Sequence, residues 1–217
     1  MKQSLKRKIV LTIKKNMKWI ILFISMILFF TIIEDVLDNE IWAFDNIVYE
    51  TISHIISTPV TAILKVITNL GGAIGIITVT ILILIFLKSN IQKFYVVLNL
   101  LIITMSNQIL KYIIQRPRPI EHRIIDQSGY SFPSGHSMVS MAFYGFLIYL
   151  IYKNVENKYI KWGLCTLLSI LILSIGISRI YLGVHYASDV IGGFCLSISY
   201  LIVYTKMIGK DIKNKGV

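Results

Sequence analysis

The chain has 217 residues, 55% of them hydrophobic, with a mean hydropathy of +0.71 and a formal net charge of +11. That is too apolar for an ordinary soluble domain of this size, and several runs approach the length that crosses a bilayer. The basic residues flank apolar runs and form no stacking platform, so the charge does not point to nucleic acid.

The chain opens on a basic stretch followed by an apolar core, the outline of a signal peptide. No small-residue cleavage site follows; the run passes into "TIIEDVLDNE". It therefore reads as an uncleaved first span, Trp19–Ile33, short enough that Lys18 and Glu34 must reach out to the interfaces. Five further spans are predicted, at Leu70–Leu87, Phe94–Ile114, His136–Tyr152, Trp162–Ile177 and Val190–Tyr204. In lipid every backbone group must be satisfied internally, so the spans are helices and the fold class is all-α. Between the first two spans, Asn46–Asn69 repeats apolar residues at helical spacing but is interrupted by Glu50, His54, Pro59 and Lys65. It reads as short helices lying at the membrane surface. The whole chain, residues 1–217, reads as one membrane domain.

Six spans put both termini, the Lys88–Lys93 loop and the Lys153–Lys161 loop on one side. That side carries 16 basic residues against two acids, and the other 6 against 9. The excess of Lys and Arg places the first side in the cytoplasm. Cys165 and Cys195 both fall inside apolar runs and give neither a disulfide framework nor metal-ligand spacing.

Three polar clusters remain, all at the non-cytoplasmic ends of spans. In "KYIIQRPRP", Lys111 is expensive near the end of a span without a partner or an aqueous cavity. Arg116 and Arg118 follow, with Pro117 and Pro119 ending the helix. Taken alone, this is a helix stop with interfacial cations. In "PSGH", Pro133 to His136, a serine and a glycine precede an apolar run. The free N–H groups and dipole of a helix start favour an anion, Ser134 caps or donates, and Gly135 permits close approach. His136 sits beside the same anion as a proton donor. In "SRIYLGVHYASD", Ser178 to Asp189, His185 and Asp189 are four apart and share a face if a helix begins there. The carboxylate would hold one ring proton and leave the other nitrogen free to attack or accept, and Arg179 adds a cation. Together Lys111, Arg118 and Arg179 surround one anion, the set that phosphoryl transfer needs. No second carboxylate cluster for magnesium and no zinc spacing is present, so cations take the metal's place. His122 and Arg123, in the loop between the first two clusters, read as a solvated loop, with a headgroup contact as the alternative.

These three stretches, K-x6-R-P, P-S-G-H and S-R-x5-H-x3-D, resemble the signatures of the type-2 phosphatidic acid phosphatase superfamily in its bacterial membrane branch. The resemblance implies a lipid phosphate phosphatase that uses no metal cofactor. His185 is the nucleophile that forms a phosphohistidine, Asp189 orients it, and His136 protonates the leaving oxygen. Lys111, Arg118, Ser134, Gly135 and Arg179 bind the phosphate. Arg116 lies in the variable part of the first signature and is carried as a further phosphate or headgroup contact. The expected partners are membrane lipid and a lipid phosphate of the phosphatidylglycerophosphate or phosphatidic acid type. The alternatives are undecaprenyl diphosphate or, in another class, a non-enzymatic anion or lipid carrier. The expected place is the cell membrane, multi-pass, with both termini cytoplasmic and the site outside.

Overall fold

The structure is a computed structural model that describes residues 2–38 and 42–215, with side chains placed except at residues 2–10, 14, 42 and 213–215. Much of the basic terminal charge counted above lies on side chains outside the described ones. The described residues form eight helices: α1 Lys2–Asp38, α2 Trp42–Ser53, α3 Thr58–Asn69, α4 Ala73–Phe86, α5 Asn90–Ile114, α6 Gly135–Asn154, α7 Lys158–Tyr181 and α8 Ala187–Lys215.

Local chemistry sets several of their ends. Pro59 sits in the first turn of α3, where its missing N–H costs nothing. Asn157 caps α7 by accepting from the Tyr159 and Ile160 N–H groups at 3.0 and 3.1 Å. The α5 helix stops at Gln115, which takes a left-handed conformation (φ 52°) before the Arg-Pro-Arg-Pro run.

Five helices are long and apolar enough to cross a membrane. The first is longer than its apolar run, because α1 continues through its charged flanks; its span covers Lys15–Asp38. The predicted second span begins later than expected. Its "LGG" forms a turn after α3, and α4 holds only 14 residues, about 21 Å of helix. It nevertheless runs alongside α6. Gly72 at its start lies against His136 at the start of α6, and Leu87 at its end shares a cavity with Asn154 and Val155 at the end of α6. Helices α2 and α3 meet at a 120° bend. They are tied to one end of the bundle, α2 at Ser188 and α3 at Tyr181, as helices lying across that end.

The centre of the bundle is α6. Half of its span is buried, against 17% for α1 and α5, so α6 is the helix the others surround. Phe143, Tyr144, Phe146 and Leu147 pack with Ile175 of α7 and Tyr204 of α8. Gly176 lets α7 and α8 touch, since a Cβ there would lie 2.5 Å from the Phe194 ring. Phe29 of α1 stacks on Phe132 with centroids 6.1 Å apart, which closes the segment just before α6. The end of α5, the start of α6, the end of α7 and the start of α8 thereby share one end of the molecule, and the three sequence clusters lie there.

Candidate active site

Lys111, Arg118, Gly135, His136 and His185 line one cavity of about 710 Å³. Each arrives by a different route. Lys111 projects from the last turn of α5 and donates to the Tyr130 carbonyl at 2.5 Å. Arg118 lies on the irregular segment after α5. Its Nε donates to the Ser128 and Gly129 carbonyls at 3.2 and 2.9 Å, and one terminal nitrogen donates to the Val184 carbonyl at 2.8 Å. Gly135 and His136 are the first residues of α6, so the positive end of that helix faces the cavity.

His185 lies in the short turn between α7 and α8 and is 3% exposed. Gly183 makes that turn with φ +67°, a left-handed conformation that glycine adopts without strain. The ring is held on both sides. Its Nε2 is 3.0 Å from a terminal nitrogen of Arg118, and its Nδ1 is 3.2 Å from Oδ2 of Asp189. A guanidinium only donates, so Nε2 accepts and Nδ1 carries the proton that goes to Asp189. Burial lowers the His185 pKa to about 3, against the opposing pull of Asp189. The ring is thus neutral at physiological pH, with a lone pair on the cavity side.

Asp189 is fully buried in the first turn of α8. Besides His185, it accepts from the Tyr186 N–H at 2.8 Å, from Arg116 at 2.7 Å and from the Ser131 hydroxyl. Ser134 is also fully buried. It caps α6, accepting from the Ser137 N–H at 3.5 Å and the Ser137 hydroxyl at 2.9 Å, and its own N–H donates to the Asp189 carbonyl. The hydroxyl oxygen thus caps the helix start. Arg179, 1% exposed, lies behind the cavity. It donates to Thr68 at 2.9 Å and to Gln127, a lining residue, at 3.0 Å. Its Nε is buried with no hydrogen-bond partner among the described residues, a donor in place for an acceptor.

Arg116 turns away from the cavity. It is buried between two carboxylates, Asp189 at 2.7 Å and Asp45 of α2 at 2.8 Å. His122 and Arg123 also stay off the cavity wall. His122 stacks on Tyr49 with centroids 4.5 Å apart, and Arg123 donates to the Pro119 carbonyl. Asp45, Ser131 and Gln127 carry no motif and were not singled out in the sequence. Only the fold reveals their part.

A second, apolar cavity of about 470 Å³ runs between α4, α5 and α6 and shares Asn107, Gln108, Gly135 and His136 with the first. Among the described residues, no three His, Cys, Asp or Glu side chains converge to hold a metal ion. The arrangement as a whole can take an anion at the cation-lined end and an apolar chain in the groove.

Comparison with known proteins places this geometry. The chain is 36% identical to phosphatidylglycerophosphatase B of Bacillus subtilis over 113 residues, half of this chain and 53% of that protein. It is 36% identical to rat sphingosine-1-phosphate phosphatase 1 over 106 residues, 46% of this chain and 24% of that one. The match thus spans about half, or less, of the length of these curated relatives. Among solved structures, the transmembrane PAP2 type phosphatidylglycerolphosphate phosphatase of Bacillus subtilis superposes with a TM-score of 0.80 at 25% identity, covering 89% of this chain and 98% of that one. Aquifex aeolicus LpxE shares the fold, with a TM-score of 0.60 at 21% identity over 73% of this chain and 92% of that one. The model of the PAP2 superfamily matches residues 92–213, more than half the chain and the stretch that carries all three clusters, and the protein belongs to that superfamily.

Proposed function

We propose that the protein is a lipid phosphate phosphatase that works through a phosphohistidine and requires no metal. The observation that carries this reading is the His185 ring, with its proton turned to Asp189 and its lone pair turned to a cavity that Lys111, Arg118 and His136 also line. An arriving phosphate takes over the Arg118 donor now spent on Nε2. Nε2 then attacks phosphorus, the ester P–O bond breaks, and His136 gives its proton to the departing lipid oxygen. Lys111, Arg118 and Arg179 balance the charge on the equatorial oxygens, and the start of α6 adds its dipole. Water next attacks phosphorus, the P–N bond breaks, and His136 takes the water's proton.

The lipid part of the reading rests on the apolar groove that opens at His136 and Gly135. The favoured substrates are phosphatidylglycerophosphate and phosphatidic acid, a choice supported by the 36% identity to the Bacillus subtilis phosphatidylglycerophosphatase B. Charge bias supports a site on the extracytoplasmic face.

Phosphate release by purified protein in detergent micelles tests this, with phosphatidylglycerophosphate, phosphatidic acid and undecaprenyl diphosphate as substrates. The glycerophospholipids should turn over fastest, with a chelator present, and His185→Ala should lose on the order of 10³-fold or more. Faster release from the prenyl diphosphate would reassign the substrate. No release from any lipid would favour an anion carrier. Full activity in His185→Ala would remove the nucleophile.

A further inference from the structure

Arg116 and Asp45 take no part in the reaction described above, yet both are buried against it. Arg116 is 6% exposed and Asp45 2%. The guanidinium is held on every edge: one terminal nitrogen donates to Asp189 and to the Ser188 hydroxyl, both at 2.7 Å. The other donates to Asp45 at 2.8 Å, and the ring of Tyr186 lies 4.1 Å from its central carbon. Asp45 is bound as fully. It accepts from Arg116, from the Ser188 N–H at 2.8 Å and from the Ser188 hydroxyl at 2.7 Å. Ser188 is the second residue of α8, so the Asp45 carboxylate also sits at the positive end of that helix.

One cation is therefore shared by two carboxylates, and one of the two is the partner of His185. A shared cation gives each carboxylate only part of its field. Were the whole charge of Arg116 to bear on Asp189, that carboxylate would pull less on the Nδ1 proton, and the Nε2 lone pair would be a weaker nucleophile. Were Arg116 absent, Asp189 would keep only the Tyr186 N–H and Ser131 donors beside the ring and hold the ring proton more tightly. We propose that Asp45, acting through Arg116, is a positioning residue for the reaction: it sets how strongly Asp189 polarises and orients His185, and ties that setting to the docking of α2. This rests on the phosphohistidine reading for its kinetic consequence, but not for its effect on the ring.

The ring has other charged neighbours that must be held constant. Facing it are Arg118 and Ser131 from the segment between α5 and α6, Lys111 of α5, His136 of α6 and Asp189 of α8, while from α7 the Arg179 carbonyl accepts the His185 backbone N–H. None of these is changed in the variants that follow.

Asp45→Asn keeps the shape and removes the charge; Arg116→Gln removes the cation. On a lipid phosphate in micelles, Asp45→Asn should lower kcat about tenfold with KM within about twofold, since the effect falls on the chemical step. Asp45→Glu should recover part of the loss. The ring is read separately by nitrogen NMR of histidine-labelled protein, where four histidines allow His185 to be assigned by difference. Arg116→Gln should raise the pH at which the His185 ring takes its second proton, whereas Asp45→Asn should lower it. Opposite responses are the signature of a charge relay, because a packing defect would move both variants the same way. An Asp45→Asn protein with unchanged kcat, or the two variants shifting the ring in the same direction, would overturn the proposal. The NMR arm needs no substrate, so it decides the question even if the wild-type protein released no phosphate from any lipid. If Asp45→Asn did not yield a monodisperse protein, Asp45→Ser, which also removes the charge, would carry the same kinetic test.

Discussion

His185 and His136 divide the proposed chemistry between them, and their surroundings differ accordingly. His185 is enclosed, held on Nδ1 by Asp189 and kept neutral by burial that lowers its pKa to about 3. His136 is partly exposed on the cavity wall, beside the groove. A proton donor matters in proportion to how poor the leaving group is. His136→Ala should therefore slow hydrolysis of a lipid phosphate by roughly 10²–10⁴-fold. The same variant should keep most of its rate on an aryl phosphate, whose phenolate departs without a proton. Comparing the two substrates in one variant checks the assignment, and an equal loss on both would point to a binding role. For His185, the depressed pKa fixes the sign of the pH response. The lone pair is present above about pH 3 and lost below it, so a fall in rate at mildly acidic pH is expected from other groups.

At the scale of elements, the site is made by helix ends and by the turns between them. The turn joining α7 to α8 is the most constrained. Gly183 has φ +67°, and a Cβ on it would lie 2.0 Å from the His122 carbonyl oxygen. Strain of the left-handed backbone alone costs roughly 1–3 kcal/mol, and the collision adds to it. Gly183→Ala should lower the unfolding temperature in detergent and cut phosphate release, because the same turn aims His185. Gly129 makes the contrast: its φ is +75°, but nothing lies within 4 Å of a Cβ there. Gly129→Ala should show a smaller loss in the same two measurements. The groove between α4, α5 and α6 makes a second demand on elements. Thr104→Trp fills it with an indole, so kcat/KM on a long-chain lipid phosphate should fall about tenfold, some 1.4 kcal/mol. Turnover of a water-soluble phosphate should stay within about twofold, and equal losses on both would argue against a lipid tail in this groove.

For the whole molecule, orientation is the open quantity that charge alone addresses. With α1, α4, α5, α6, α7 and α8 as the crossings, the Glu121 loop and the Glu156 loop lie at opposite ends of the bundle. Both residues are exposed, and the native cysteines Cys165 and Cys195 are buried. Glu121→Cys should react with an impermeant maleimide on intact cells, and Glu156→Cys only after permeabilisation. The reverse pattern would put the site in the cytoplasm. Six crossings rest on α4, which is shorter than a usual span but runs alongside α6.

The sequence by itself determined the helical class, the polar clusters and the superfamily, because these are local quantities. Hydropathy is a property of a run, and the three signatures are spacings of a few residues each. The end of the bundle at which the clusters meet follows from counting crossings, since successive helices alternate in direction. Tertiary structure decided what spacing does not encode. Asp45 lies 71 residues from Arg116 and 143 from Ser188, and a lone acid in "WAFDN" has no local pattern to mark it. Arg116 looks like its neighbour Arg118 in sequence, yet proline turns send the two side chains opposite ways, one to the cavity and one to a buried pair of carboxylates. Ser134 reads in sequence as a helix cap or an anion donor, and the fold shows its oxygen capping α6 by accepting from Ser137. Side-chain direction depends on the fold of the whole bundle, which a linear spacing does not contain.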